Sequence, residues 1–203
     1  SANLNICENL YASAGAVTAP YHAYHHSSRV VPNETCPTGS SSVAGLQFEF
    51  AAAQSSYPAE YADALQELKP AVVSFHFGLP SAELLRRVKS WGAKVLSSAT
   101  TVDEARWLEA QGADAVIAQG LEAGGHRGIF LSEDLTAQVG TFALLPQIVR
   151  AVKVPVIAAG GIAHAEGVAA AIALGAAGVQ VGTAYLLCPE ATTSAVHRAA
   201  LKS

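Results

Sequence analysis

GADAVIAQGLEAGGHRG, residues 112–128, is the stretch on which the fold of this chain turns. Its apolar run AVIAQ (115–119) has the composition of a strand buried on both faces, and it opens directly into a glycine-rich loop that carries His126. Two later segments repeat the pattern. VPVIAAGGIA (154–163) and GVQVGTAYL (178–186) also run from apolar strand residues into small ones, so three strand ends can bring their backbones close to a ligand.

Outward from there, strand-like and helix-like segments alternate from Ala71 onward. The strands are VVSFHF (72–77), KVLSS (94–98), AVIAQ (115–119), PVIAA (155–159) and GVQVG (178–182), with starts 22, 21, 40 and 23 residues apart. Between them SAELLRRVKSWG, TVDEARWLEAQG, TFALLPQIVRAVK and HAEGVAAAIALG carry apolar residues at helical spacing. Ser81 and Thr101 are placed to cap helix starts, and Gly92, Gly112 and Gly175 to follow helix ends. Repeated β-α units of this length imply a parallel sheet, because each crossover helix returns the chain to the end of the sheet where the previous strand began.

The first 70 residues are less regular. NLNI (3–6) reads as an earlier strand of the same sheet, about 9–56 as an irregular insertion rich in Ser, Ala, Pro and His, and AEYADALQELKP as a helix stopped by Pro70. The expectation is one α/β domain over 1–203 with six strands. It is either a TIM-type (β/α)8 barrel with six of its eight strands present or an open doubly wound sheet, and the residues alone leave both open.

Composition excludes several classes. Of 203 residues, 51% are hydrophobic and 14% charged, enough apolar material for a large core. A net charge of −4 leaves no broad basic surface for nucleic acid. No apolar run reaches the roughly 18 residues of a membrane-spanning helix. Cys7, Cys36 and Cys188 are odd in number and form no C-x-x-C pair, which argues against a disulfide framework or zinc site and fits a reducing cytoplasm. The absence of methionine, even at position 1, reads as a chain that is not a complete translated reading frame.

The chemistry belongs at the C-terminal strand ends, where parallel α/β folds bind ligands. Gly160-Gly161 ends one strand and Gly182-Thr183 the next, a pairing that suits a phosphate group, although such glycines also serve tight turns. His126 follows Gly124-Gly125 on a loop, and an imidazole with its ordinary pKa of about 6.5 exchanges protons readily at neutral pH. His76 lies inside a strand pattern and reads as a satisfied core histidine. Glu122 reads as a structural loop carboxylate, Cys188 has no adjacent base, and His22, His25 and His26 lack partners with metal-ligand spacing, so no metal site is expected.

GADAVIAQGLEAGGHRG, VPVIAAGGIAHAEGVAAAIALGAAGVQVGTAYL and PAVVSFHFGLP resemble the nitronate monooxygenases, formerly 2-nitropropane dioxygenases, over about residues 66–203. That family is flavin mononucleotide (FMN) dependent and has a TIM-barrel fold. Its domain begins with two strands ahead of the one that NLNI resembles and continues beyond the residue matching Ser203. The resemblance implies that Gly160, Gly161, Gly182 and Thr183 hold the flavin phosphate, with Ala159 beside them. Ser98, Gln119 and Gly125 would line the ring or ribityl chain, and Gly124 with Gly125 would let the backbone pass the isoalloxazine edge.

The same resemblance makes His126 the catalytic histidine, removing the α-proton of a nitroalkane or hydrogen-bonding a nitronate. The implied reaction consumes a nitronate and molecular oxygen and yields a carbonyl compound and nitrite. Two alternatives stand beside it: a flavin-dependent enoyl-acyl-carrier-protein reductase, which shares EAGGH and AAGGIA, and a non-catalytic truncated fragment.

Overall fold

Short apolar runs that alternate with amphipathic helices build the observed architecture. The computed structural model describes residues 30–31, 40–43, 46–49 and 59–203. Strands β1 (Val30–Val31), β2 (Ser40–Val43) and β3 (Leu46–Glu49) form a small antiparallel sheet in the order β1-β3-β2. At these positions the stretch read as irregular is therefore sheet; strands of two to four residues are too short to display a period. The NLNI strand and the His22, His25, His26 cluster lie outside the described residues.

The remaining elements alternate strictly. Helix α1 (Ala59–Leu68) leads into β4 (Val72–Phe75), followed by α2 (Ala82–Ser90), β5 (Lys94–Ala99), α3 (Val102–Ala110) and β6 (Ala115–Gln119). After a long loop come α4 (Thr141–Ala151), β7 (Val156–Ala159), α5 (Ala165–Ala173), β8 (Gly178–Gln180) and α6 (Ala195–Ala200). The expected caps are present: the Ser81 hydroxyl accepts the Leu84 N–H at 3.3 Å, and the Thr101 hydroxyl accepts that of Glu104 at 3.2 Å. Gly92, Gly112 and Gly175 all have positive φ.

Strands β4 to β8 pair in parallel and in sequential order. A doubly wound sheet would show a reversal of strand order at a switch point, and this sheet has none. Among the described residues the α/β architecture is thus a half-barrel, five strands of an incomplete (β/α)8 barrel with helices outside.

Alternation along the strands separates two cores. Val73, Phe75, Val95, Val116, Ala118, Val156 and Ala158 face the helix layer, where Leu108, Leu144, Leu145 and Ile148 are buried against them. Leu96, Ala115, Ile117, Ile157 and Ala159 form a second cluster on the opposite, inner face. Each fully buried Leu or Ile side chain contributes about 1.5–3 kcal/mol, so the outer cluster anchors the sheet on which the strand-end loops stand.

Two expected strands end early, for backbone reasons. VVSFHF stops at Phe75 because Phe77 adopts φ 62°, a left-handed conformation that a strand does not tolerate. GVQVG stops at Gln180 because the chain turns at Gly182 into a 3-10 helix over Thr183–Leu187.

Candidate active site

Pairing register places His76 just past the end of β4, Ser98 near the end of β5, Gln119 at the end of β6, Ala159 at the end of β7 and Gln180 at the end of β8. Gln119 pairs with Ala159, and Ala159 with Gln180, so these residues share the inner face and the C-terminal end. Gln180 was passed over in the sequence. A lone polar residue in an otherwise apolar strand was the available signal.

The loop after β6 folds back over these ends. The carbonyl of His126 accepts two hydrogen bonds, from Gln119 Nε2 at 2.9 Å and from His76 Nε2 at 3.1 Å. His76 Nδ1 lies 2.9 Å from Ser98 Oγ, and Gln119 Oε1 accepts the Gly128 N–H at 2.7 Å. One network therefore joins the ends of three strands to both flanks of the His126 peptide. Because a carbonyl only accepts, His76 Nε2 carries the proton, and in the neutral ring Nδ1 accepts from the Ser98 hydroxyl.

Burial lowers the His76 pKa below the ordinary 6.5 and outweighs the opposing hydrogen bond to the His126 carbonyl. The charges of His126 and Arg127 lower it further, and that of Glu104 raises it. The core reading of His76 is thus revised: it is half-buried and part of the strand-end network. Gly128 was also missed. A Cβ at that position would stand 2.8 Å from His76 Cε1 and 3.1 Å from Gln119 Oε1, so only glycine lets the loop close on the network.

Arg127 donates to the carbonyls of Gly120 and Leu121 at 2.5 and 2.6 Å, closing the loop on itself. Glu122 accepts the Thr141 N–H at 2.8 Å and its hydroxyl at 3.1 Å, where a carboxylate is favoured at the start of α4. Burial raises the Glu122 pKa, but the hydrogen bonds from its own backbone and from Thr141, with the Arg127 charge, bring it net below the usual value. The structural reading of Glu122 fits this arrangement.

Gly160 and Gly161 have φ of 108° and 67°. A Cβ at Gly160 would lie 2.9 Å from Ala123 N, and one at Gly161 would lie 3.1 Å from Glu122 Cβ, so this turn needs glycine whatever it binds. Gly124 approaches Thr183, whose Oγ1 would be 2.6 Å from a Cβ there. The structure thus brings Ser98, Gln119, His126, Gly124, Ala159, Gly160, Gly161 and Thr183 to one end of the sheet. At Gly125 and Gly182 a Cβ would meet nothing within 4 Å, so both backbones border open space.

Among the described residues, no group of three or more His, Cys, Asp or Glu could hold a metal ion, and no helix is long and apolar enough to cross a membrane. The sequence model of the nitronate monooxygenases matches residues 15–203. The chain belongs to the nitronate monooxygenase family.

Curated relatives agree with that placement. The chain is 51% identical over 138 residues to a nitronate monooxygenase of Pseudomonas aeruginosa, covering 68% of this chain and 39% of that one. For a nitronate monooxygenase of Paraburkholderia phytofirmans the identity is 50% over 144 residues, covering 71% and 39%. The chain spans about two fifths of the length of these relatives.

Among solved structures, the nitroalkane oxidase from Streptomyces ansochromogenes matches with a TM-score of 0.66 and 46% identity, over 70% of this chain and 42% of that one. FabK from Thermotoga maritima matches with a TM-score of 0.60 and 39% identity, over 71% and 43%.

Proposed function

We propose that the protein oxidises alkyl nitronates, formed from nitroalkanes, with molecular oxygen to a carbonyl compound and nitrite, using FMN. The observation that carries this reading is the loop of His126, held by Gln119 and His76 over the strand ends of a nitronate monooxygenase half-barrel. The side chains and backbone there fit a phosphorylated flavin. Open space borders Gly125 and Gly182, Thr183 supplies a hydroxyl at the end of β8, and Gly160 and Gly161 let the β6 loop pack closely against the end of β7. When bound, FMN would supply the electron-transfer chemistry.

In this reading the chain's own residues divide the rest. Gly160, Gly161, Gly182 and Thr183 hold the phosphate, with Ala159 beside them, and Ser98, Gln119, Gly124 and Gly125 border the ring or ribityl chain. The His126 imidazole takes the α-proton of a neutral nitroalkane, or donates a hydrogen bond to the nitro group of a nitronate already formed. Small-molecule substrate and oxygen enter from the strand-end face, and the free thiol of Cys188 suits a reducing cytoplasm. The test is oxygen uptake with an alkyl nitronate in the absence of NADH, followed alongside the visible flavin spectrum. Uptake with nitrite release supports the reading; NADH-dependent flavin reduction without it favours the alternative of a flavin-dependent enoyl-acyl-carrier-protein reductase.

A further inference from the structure

We propose that His76 is a positioning residue for this reaction: as the Nε2–H tautomer it orients the His126 peptide, and through it the imidazole that meets the substrate. The proposal rests on the reading of His126 as the base and extends it to a residue just past the end of β4, 50 positions away in sequence.

Four observations support it. The two donors on the His126 carbonyl, His76 Nε2 and Gln119 Nε2, stand at the ends of different strands, so the peptide plane is fixed from two directions. The His126 carbonyl can only accept, so Nε2 carries the proton in the neutral ring, and the Ser98 hydroxyl at 2.9 Å then donates to Nδ1. The next residue, Phe77, holds a left-handed φ of 62°, a conformation that costs a bulky residue on the order of 1–3 kcal/mol and persists only where surrounding structure enforces it. The Phe77 ring meets the His76 imidazole edge-on with centroids 4.5 Å apart, and Gly128 leaves room for the imidazole on the loop side. Ring, tautomer and loop are thus mutually set.

A misplaced base loses rate steeply, because proton transfer requires hydrogen-bond reach of the reacting atom. His76→Phe removes both ring nitrogens at similar volume, whereas His76→Gln keeps an N–H donor near the position of Nε2. The expected result is a loss of about 100-fold in kcat on a neutral nitroalkane for His76→Phe, with KM and flavin content near those of the parent. Turnover of the preformed nitronate falls much less, and His76→Gln recovers most of the lost rate. A loss that is equal on both substrates, or Gln no better than Phe, overturns the proposal.

Two further arms separate it from the reading beneath it. If His126→Ala leaves neutral-nitroalkane turnover intact, the base assignment fails and this proposal falls with it. If His126→Ala loses that turnover and His76→Phe does not, the base assignment stands and the positioning role alone is overturned. Independently of activity, nitrogen NMR of the 15N-histidine-labelled protein is expected to show His76 protonated at Nε2 and bare at Nδ1 near neutral pH. The opposite tautomer, assigned by loss of the signal in His76→Gln, overturns the proposal.

Discussion

Glu104 Oε1, on the fully buried side chain of a helix residue, accepts the backbone N–H of Phe130 at 2.6 Å across 26 positions of sequence. The same carboxylate accepts the Leu131 N–H at 3.2 Å, and its other oxygen accepts the N–H and hydroxyl of Thr100 at 2.6 and 2.7 Å. It ties the distal part of the His126 loop to the start of α3. Gln138 extends this anchor by donating to the Thr100 hydroxyl at 3.0 Å.

Removing that carboxylate orphans several buried donors at once. Glu104→Ala should lower unfolding free energy by about 3 kcal/mol, read as a shift of the urea midpoint at unchanged slope. A shift equivalent to less than about 1 kcal/mol would show that water replaces the carboxylate there.

His126→Ala should retain flavin and lose about 100-fold or more of the turnover of neutral nitroalkanes, with a smaller loss on preformed nitronates. The pair of substrates isolates proton removal, since the nitronate arrives already deprotonated. Equal activity of variant and parent on both substrates removes His126 from the mechanism.

The phosphate seat is best tested where glycine is not required by the fold. Gly161 has φ 67°, so a bulky residue there strains the backbone as well as filling the seat. Gly182 has φ −117° and open space around its Cβ position. Gly182→Val should therefore leave stability within about 0.5 kcal/mol of the parent while weakening FMN retention on gel filtration. Gly161→Val should weaken both. Undiminished retention in Gly182→Val refutes this seat.

Acid sensitivity follows from His76. Its folded pKa lies below 6.5, so the unfolded chain binds the proton more readily. The stability contributed by the neutral ring is complete above about pH 6.5 and is lost as the pH falls through the lowered folded value. Denaturation midpoints across pH 5–7, compared between the parent and His76→Phe, should show the parent's slope flattened in the variant; identical slopes would contradict the sign.

Asp114 adds a second acid transition at lower pH. Burial raises its pKa, but the Val95 N–H at 2.9 Å and the ammonium groups of Lys89 and Lys94 at 3.0 and 3.5 Å bring it net below 3.8. That contribution is present above the usual carboxylate range and disappears as the pH drops through the lowered value.

What the amino-acid order determined by itself was everything that depends on near neighbours. AVIAQ is the strand Ala115–Gln119, Ser81 and Thr101 cap their helices, and Gly92, Gly112 and Gly175 take positive φ. Each of these is an interaction across a few residues, so hydrophobic period and capping chemistry report it directly. The glycines at the three strand ends were visible as residue types, but the contacts that require them, such as Gly160 with Ala123 and Gly124 with Thr183, are long-range, as is the Glu122 bond to Thr141.

Only the tertiary structure decided between barrel and doubly wound sheet, because strand order is set by which edges meet and leaves no local pattern. It alone moved His76 from the core to the site, since the partner of its Nε2 is a carbonyl 50 residues away on a loop that folds back over the sheet. A histidine between two phenylalanines looks the same in sequence whether it packs against apolar side chains or orients a peptide. The difference lies in a long-range hydrogen bond, which folding creates and a linear reading does not contain.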